Sequence, residues 1–210
     1  MALLFRLTFV NRWAKPTIGA GSALSAEKEV SLITRAKGGD EAAISQLYRQ
    51  YAPGIYGYVA SRVGDPALAD DLASEVFLRA LEGLPRFEYR GISFGAWLYR
   101  IAHDRVVDHF RRQARRPVLS LENGDLPVQN GVEGQVEANL GAQRLKKAID
   151  QLTADQQQVI LLRFNAGLKL KETAYVMSKS VGAVKMLQLR ALAHLRQLVD
   201  QMNEAADAGQ

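Results

Sequence analysis

The sequence predicts an all-α protein made of two small helical domains joined by a flexible, acidic linker. From residue 27 onward, apolar side chains recur at the i, i+3, i+4 spacing of amphipathic helices. Capping residues and glycines divide this periodic pattern into helices of ordinary length. Residues 117–136 lose the period and accumulate proline, glycine and asparagine, which is typical of a linker.

Composition limits the classes of function that the chain can have. Its 210 residues suffice for one large domain or two small ones, and 48% of them are hydrophobic, enough for real cores. The formal net charge of +5 favours an acidic partner, nucleic acid before a membrane surface. Without cysteine the chain has no disulfide and no thiolate metal site, and its apolar runs are too short for membrane insertion. We therefore expect a cytoplasmic protein.

Residues 1–25 and 203–210 are predicted to be flexible tails. The apolar patch from Ala2 to Val10 is broken by Arg6 and has neither the basic leader nor the clear small-residue cleavage site of a signal peptide. Residues 18–25 are rich in glycine, alanine and serine. A disordered tail and a start codon assigned too far upstream are the two interpretations that we favour, and a docking peptide is a third.

The first domain, residues 26–116, begins with two helices. A short amphipathic helix over 27–37 ends at Gly38-Gly39, and Asp40 caps the next helix. Pro53 lies inside this second helix, where a kink is expected. Its apolar stripe consists of Ile44, Leu47, Tyr48, Tyr51, Ile55, Tyr58 and Val59.

An acidic helix follows. Gly64, Asp65 and Pro66 supply a stop, an N-cap and a first-turn proline, and the helix is predicted over 67–84. The side chains predicted to face inward are Leu68, Leu72, Val76, Phe77, Ala80 and Leu81. The acidic side chains at the start are Asp65, Asp70, Asp71 and Glu75, with no basic residue between them. The helix dipole alone favours acids at a helix start, but two of these lie past the first turn, so a basic protein partner is a second interpretation.

A basic helix over 93–116 completes the first domain. Ser93 is its predicted N-cap and Pro117 ends it. Its apolar positions are Trp97, Leu98, Ile101, Ala102, Val106 and Phe110, and its arginines are Arg100, Arg105, Arg111, Arg112, Arg115 and Arg116. Such a helix suits a nucleic-acid backbone, the alternative being a solvated charged face. The loop before it carries Phe87, Tyr89 and Arg90 beside Gly91, which suits stacking on an unpaired base.

The second domain, residues 138–202, ends in a predicted helix-turn-helix. Its first inward side chains are Leu140, Leu145, Ala148, Ile149 and Leu152. A capping box from Thr153 to Gln156 then opens a helix that Gly167 ends. Two helices with a very short join follow, over 169–177 and 181–202, with Ser180 as the N-cap of the last. The last helix is the predicted reader of DNA, and an ordinary αα-hairpin is the alternative.

Four stretches together resemble the bacterial RNA polymerase sigma factors of the extracytoplasmic-function (ECF) group, within the sigma-70 family. They are AKGGDEAAISQLYRQYAPGIYGYV, DPALADDLASEVFLRAL, FGAWLYRIAHDRVVDHFRR and LTADQQQVILLRFNAGLKLKETAYVMSKSVGAVKMLQLRALAHLR. The resemblance covers residues 28–116 and 138–200. It implies a sigma region 2 bundle at 26–116, a linker at 117–137 and a sigma region 4 helix-turn-helix at 138–202.

The resemblance also implies a function and partners. A sigma factor binds core RNA polymerase through its clamp coiled coil and flap and directs promoter-specific transcription initiation. It reads the −10 and −35 elements of promoter DNA, uses no cofactor or metal, and is typically held by an anti-sigma factor. The positions that match the polymerase-binding surface are Asp70, Asp71, Leu72, Ser74 and Glu75. Ser74 stands where the family usually has glutamine.

The remaining matching positions are DNA contacts. Those for −10 recognition and melting are Glu88, Tyr89, Arg90, Trp97, Arg100, Asp104, Arg105, Arg111 and Arg112. Trp97 is equally open to a packing role, and Asp104 replaces the usual asparagine, so it cannot donate when ionised. The −35 readers are Lys185, Met186, Leu189 and Arg190, and the phosphate contacts are Lys169, Lys171 and Ser180. Ser178 stands in the turn where glycine is common.

The resemblance gives the acidic linker an interpretation as well. In this family the connection between the domains runs through the basic active-site and RNA-exit channel of the polymerase. Glu122, Asp125 and Glu133 are therefore expected to mimic the charge of RNA there.

Two rival functions remain. A metal enzyme would need His103, Asp104, Asp108 and His109 to converge, but the two histidines are six residues apart, about 600° around a helix. The chain carries no HExxH, phosphate loop or nucleophile motif, so we expect no enzyme and take these acids to balance the neighbouring arginines.

A stand-alone helix-turn-helix transcriptional regulator explains the second domain equally well, but it leaves the acidic and basic helices of the first domain unexplained.

Overall fold

The computed structural model of the protein describes residues 26–115, 145 and 147–207, so the predicted N-terminal tail and the acidic linker with its three predicted carboxylates lie outside the described residues. The C-terminal tail predicted over 203–210 is instead helical as far as residue 207, where it continues the last helix. The described parts are helical and contain no strand. Their elements are α1 (Ala26–Lys37), α2 (Glu41–Val63), α3 (Pro66–Gly83), a 3₁₀ turn (Leu84–Arg86), α4 (Phe94–Arg115), α5 (Ala154–Ile160), a π-helical turn (Leu161–Asn165), α6 (Leu170–Met177) and α7 (Val181–Asp207). None of these helices is long and apolar enough to cross a membrane.

The predicted starts of α2, α3 and α5 are confirmed, because a local capping side chain accepts from the first free N–H groups of each of these three helices. Asp40 accepts from the backbone of Ala42 and Ala43, and Asp65 accepts from Ala67 and Leu68. Thr153 forms the expected capping box with Gln156. Pro53 does not interrupt α2, which is helical from end to end.

The first domain packs α2 against α1, α3 and α4. Its most deeply buried side chains include Ile55, Tyr58, Val76 and Leu98. The second domain packs α5 and α6 on α7 around Val159, Leu162 and Val184. Helix α4 of the first domain also contacts α6 of the second, and the buried side chains of both domains form one cluster. The structure is therefore closed on itself along α4 and α6.

Three side chains predicted to face inward are exposed instead: Leu81, Phe110 and Leu145. Leu81 follows the buried Ala80 by one position, a rotation of about 100° that turns it away from the core. Phe110 lies in the last turns of α4, where the residues that follow it are also exposed. Among the described residues of the second domain, the first buried side chain is Ala148, one turn after Leu145.

Candidate nucleic-acid interface

The loop between the 3₁₀ turn and α4 is anchored by one aromatic side chain and displays another. Phe87 is buried and packs on Phe94 and Trp97, with ring centroids 5.3 and 5.0 Å away. Tyr89 is 44% exposed and meets Phe87 edge to face at 5.5 Å. Gly91 turns the chain with a positive φ of 75°, which only glycine adopts without strain. The loop thus displays an exposed ring, and its stacking on an unpaired base remains a prediction.

The charged side chains of this loop are also displayed. Arg90 pairs with Glu88 at 2.8 Å, and both side chains are largely exposed. An exposed pair of this kind contributes little to stability and exchanges readily for other partners. A phosphate could therefore replace Glu88 as the partner of Arg90.

Helix α1 holds the loop through two residues that the sequence analysis missed. Glu29 accepts hydrogen bonds from the hydroxyls of Tyr51 and Tyr89, and the Lys37 ammonium donates to the carbonyl oxygen of Phe87. Burial and the nearby Glu29 carboxylate raise the pKa of Tyr89, so its hydroxyl stays protonated and donates. These partners lie 60 and 50 residues apart in the chain. No local pattern could have revealed them.

Trp97 has a clear structural role. Its ring packs between Phe87 and Phe94 and lies 2.9 Å from where a Cβ on Gly83 would stand. Any larger residue at that glycine would therefore push the indole. The ring is only partly buried, so a DNA contact by its exposed part remains a prediction.

The arginines of α4 differ in how firmly they are held. Arg105 is 13% exposed and bonds to Glu75 at 3.1 Å and to Asp108 at 2.7 Å, which ties α4 to α3. Arg100 pairs with Asp104 at 3.0 Å. Arg111 and Arg112 are exposed on the last turns. The exposed arginines are thus available to a phosphate backbone, whereas Arg105 lies in a bonding network within the domain.

One side of α3 forms an acidic and apolar surface. Asp70, Asp71 and Ser74 are exposed as predicted, and Glu75 is half-buried. Leu72 is 7% exposed and packs in the core, so it does not belong to this surface. Each residue of a helix is rotated by about 100° from the one before it, so Leu72 faces the core although Asp71 and Ser74 face outward.

Two leucines extend the same side of α3 toward its end. Leu78 is 62% exposed and Leu81 is 45% exposed, and both lie within about 80° of Asp71 around the helix. We call Asp71, Ser74, Glu75, Leu78 and Leu81 the α3 surface. Burial raises the pKa of Glu75, but hydrogen bonds from Arg105 and Arg79 outweigh it and leave that pKa below its usual value. A charged carboxylate beside exposed leucines suits a protein partner.

The predicted readers of the second domain are exposed together on the first turns of α7. They are Lys185, Met186, Leu189 and Arg190. Ser180 caps this helix by accepting from the N–H of Ala183 at 3.1 Å. Ser178, which stands where glycine is common, adopts a left-handed φ of 53°. This explains the preference for glycine in the turn.

A partly buried arginine supports the helix-turn-helix. Arg163 donates to Gln188 on α7 at 2.9 Å and to the carbonyl oxygen of Leu168, just before α6. It therefore links the two helices of the motif to the π-helical turn. The sequence analysis did not single it out.

The two predicted DNA-binding sets meet in the structure. Arg100 of α4 bonds to the end of α6, and Glu172 of α6 bonds to Ser93 at the start of α4. A cleft of about 670 Å³ lies between the domains, and Arg100, Lys171 and Lys179 line it. One member of the predicted −10 set, Arg100, and one predicted phosphate contact, Lys171, thus line the same basic cleft.

The four side chains that a metal enzyme would need, His103, Asp104, Asp108 and His109, do not converge. His103 Nδ1 accepts from Gln158 at 2.7 Å, whereas the His109 ring packs against Phe110 at a centroid distance of 5.5 Å. Burial lowers the pKa of His103, and the nearby Asp104 only partly opposes this. Within the described residues, no group of three or more histidine or acidic side chains could hold a metal ion.

Comparison with known proteins identifies the family. Residues 47–116 match the family Sigma-70 region 2, and residues 148–197 match Sigma-70, region 4. The sequence is 30% identical over 194 residues to "ECF RNA polymerase sigma factor SigD" of Mycobacterium tuberculosis, covering 88% of this chain and 90% of SigD. The chain belongs to the ECF RNA polymerase sigma factors.

Further similar proteins and solved structures support this assignment. It is 41% identical over 174 residues to "ECF RNA polymerase sigma factor BldN" of Streptomyces coelicolor, covering 81% of this chain but only 65% of BldN. The chain thus spans about two thirds of that relative. A solved structure of CnrH with the cytosolic domain of CnrY superposes with a TM-score of 0.61 at 24% identity, covering 82% of this chain and 97% of CnrH. The sigma factor RpoE from Bartonella quintana, solved with the anti-sigma factor NepR, gives a TM-score of 0.61 at 22% identity, covering 74% and 96%. These two likenesses show the fold.

The family match gives the domains of this sigma factor their names. Helices α3 and α4 and most of α2 belong to region 2, and α5, α6 and most of α7 belong to region 4. Helix α1 precedes the matched residues, so Glu29 and Lys37 lie outside them. The loop between the 3₁₀ turn and α4 is therefore held from a helix that the match does not include.

Proposed function

We propose that this sigma factor binds core RNA polymerase and directs promoter-specific transcription initiation by reading the −10 and −35 elements. The observation that carries the proposal is the presence of three distinct surfaces in one chain. Region 2 displays a loop with an exposed tyrosine beside a basic helix, region 4 displays a helix-turn-helix, and α3 displays an acidic, apolar surface. A DNA-binding regulator needs only the second of these.

The residues of region 2 divide the work of opening the promoter. Tyr89 stacks on an unpaired base, since every base has a π-face that an exposed ring can cover. Arg90, Arg111 and Arg112 contact phosphates and position the strand. Asp104 is paired with Arg100 in the structure, so its charge is balanced where the family usually has a neutral asparagine.

The residues of region 4 divide between positioning and reading. Lys169, Lys171 and Ser180 are exposed near the start of each helix of the motif and contact phosphates. Lys185 and Arg190 contact guanine edges in the major groove, and Met186 and Leu189 contact thymine methyl groups. This division predicts that the readers, and not the phosphate contacts, set promoter preference.

The partners follow from the same surfaces. The α3 surface docks the clamp coiled coil of the polymerase, and region 4 docks the flap. The chain works in the cytoplasm, where its polymerase is, and its relatives are sigma factors and not enzymes. RpoE of Bartonella quintana is solved with an anti-sigma factor, and we propose that an anti-sigma factor also controls this chain.

A reconstituted transcription assay tests the proposal. The purified protein is mixed with bacterial core RNA polymerase and a genomic promoter pool, and the transcript starts are mapped. We expect discrete new starts with shared upstream motifs, and we expect Asp71→Ala to reduce core binding while Asp150→Ala, an exposed acid of the second domain, does not. A protein that fails to bind core but shifts a DNA duplex alone would instead be a stand-alone regulator.

A further inference from the structure

Two arginines hold the same oxygen of one carboxylate on the α3 surface. Arg79 Nε donates to Glu75 Oε1 at 3.2 Å, and Arg105 Nη1 donates to that oxygen at 3.1 Å. Within the part of the chain that the structure describes, Glu75 Oε2 accepts no hydrogen bond, and the side chain is 37% exposed. One oxygen of Glu75 is therefore fixed, and the other is open to a partner.

Arg105 is itself held in place. Its Nη2 donates to Asp108 Oδ2 at 2.7 Å, so its planar guanidinium bridges two carboxylates, a geometry that suits arginine better than lysine. Helices α3 and α4 pack on each other, and the chain neighbours Val76 and Val106 are buried. The backbone beneath Glu75 and Arg105 is therefore fixed by packing.

The two arginines differ in how firmly they hold Glu75. Arg79 lies one turn later on the same helix, and its side chain is 49% exposed. An exposed pair at this spacing contributes little to stability and its geometry changes readily. Arg105 comes from the neighbouring helix and is 13% exposed. Arg105 is therefore the side chain that fixes the orientation of the carboxylate.

A fixed carboxylate favours docking, because a side chain that is already ordered loses less conformational freedom when a partner binds. The charges of Arg105 and Asp108 balance, so the bond to Glu75 leaves the acidic character of the α3 surface intact. Asp71 lies on the same surface and is exposed. The arrangement suits a partner that brings a basic side chain to Glu75 Oε2.

We propose that Arg105 is a positioning residue for polymerase binding, which holds Glu75 so that its open oxygen meets a basic side chain of the clamp coiled coil. This inference rests on the proposed function, which docks the α3 surface on the polymerase. The resemblance to the family counts Arg105 among the −10 contacts instead. A guanidinium that is 13% exposed and bonded to two carboxylates presents little of itself to a phosphate.

The affinity for core polymerase in the absence of DNA is the first measurement. Full-length variants are bound to immobilised core in biolayer interferometry. Arg105→Met keeps the length of the side chain but removes the guanidinium, and it should weaken binding about fivefold. Arg105→Lys keeps the charge but not the planar fork and should weaken binding about twofold. Arg49→Met, at an exposed arginine of α2 outside this network, is the matched control and should bind like the wild type.

A double-variant cycle tests whether Arg105 acts through Glu75. Glu75→Gln removes the charge that the partner meets and should weaken core binding about tenfold. Adding Arg105→Met to Glu75→Gln should cost nothing further, because the carboxylate that Arg105 holds is then absent. Losses that add in the double variant would overturn the proposal.

The pKa of Glu75 reports the contact in the free protein. The charged groups that face this carboxylate are Arg79 on its own helix and Arg105 on α4, with Asp108 behind Arg105. Burial raises the pKa of Glu75 and the two arginines lower it, so Arg105→Met should raise that pKa. Carbon NMR of isotopically labelled glutamate measures it, with Glu75→Gln identifying the signal. An unchanged pKa would contradict the positioning role.

Promoter melting at saturating core polymerase separates this role from a DNA contact. A variant that fails only in docking should melt the promoter like the wild type once core is in excess. If Arg105→Met instead binds core normally and melts the promoter poorly at saturating core, Arg105 contacts DNA and the inference is wrong.

The remaining outcomes separate the inference from the proposed function. If the wild type binds core and Asp71→Ala weakens it, but Glu75→Gln and Arg105→Met do not, only the inference fails. If the wild type does not bind core at all, the proposed function fails and the inference falls with it. Circular dichroism checks that each variant keeps its helix content. Should Arg105→Met unfold, the affinity of Arg105→Lys decides, and binding equal to the wild type would refute the inference.

Discussion

Replacing Glu29 with alanine should impair promoter opening while leaving polymerase binding intact. The carboxylate accepts hydrogen bonds from Tyr51 within the first domain and from Tyr89 in the loop before α4, which we propose contacts an unpaired base. Its removal frees the loop tyrosine to leave the position in which it meets Phe87 edge to face. The α3 surface lies on another helix and is not touched by the change.

The size of the effect follows from the exposure of the two hydroxyls. A hydrogen bond to a charged group contributes about 1.5–3 kcal/mol when well buried. Tyr89 is 44% exposed, so water replaces much of its lost bond and we expect about 1 kcal/mol at the loop. That corresponds to a reduction of about fivefold in the fraction of open complexes.

The assay is permanganate reactivity of thymines in the melted region of a promoter found by transcript mapping. Glu27→Ala, an exposed acid on the same helix, is the matched control. Tyr89→Phe keeps the ring but removes the hydroxyl and should act like Glu29→Ala. The double variant should be no worse than Glu29→Ala alone, since Tyr89→Phe removes a bond that Glu29→Ala has already removed.

Strict additivity of the two changes would refute this reasoning. So would an equal loss for the Glu27→Ala control. A large drop in the melting temperature of Glu29→Ala would instead show that its bond to Tyr51 supports the whole domain, and the promoter effect would then not be specific to the loop.

Three further predictions concern the core, the pH dependence and the reading helix. Leu98→Ala empties a fully buried site and should lower the free energy of unfolding by about 2–5 kcal/mol in denaturant melts, whereas a loss below about 1 kcal/mol would contradict the packing. Burial lowers the pKa of His103, so its neutral form is favoured on folding; stability should be full above about pH 6.5 and fall as the pH drops below it, and His103→Asn should flatten that slope in calorimetry. Arg190→Ala should change which −35 sequences are used, while Lys169→Ala should weaken all promoters alike and lower the salt slope by about one; the reverse result would exchange their roles.

Local sequence signals were enough to predict where the helices begin and end. Asp40, Asp65 and Thr153 cap the helices that they were expected to cap, and the left-handed turn at Ser178 falls where glycine is common. Caps and turns depend on bonds between residues two to four positions apart, so the linear order of the chain contains them. The four stretches that resemble a sigma factor lie within the same helices, and the family followed from them.

The side of each helix that faces the core was predicted less well. Leu72 matches the polymerase-binding surface of the family but packs in the core, and Leu81 was expected inside but is exposed. Periodicity shows where an apolar stripe runs along a helix. Whether a residue at the edge of that stripe is buried depends on which neighbouring helix covers it. The exposed Leu78 extends the α3 surface for the same reason.

The sequence by itself determined the two helical domains, their caps, the charge of their helices and the family. Only the tertiary structure decided that Glu29 holds Tyr89 and that Arg100 caps α6, because these partners lie 60 and at least 75 residues apart. Contacts of that range depend on how helices pack, and no pattern within a single helix records its partner. The same packing brought α4 of the first domain against α6 of the second.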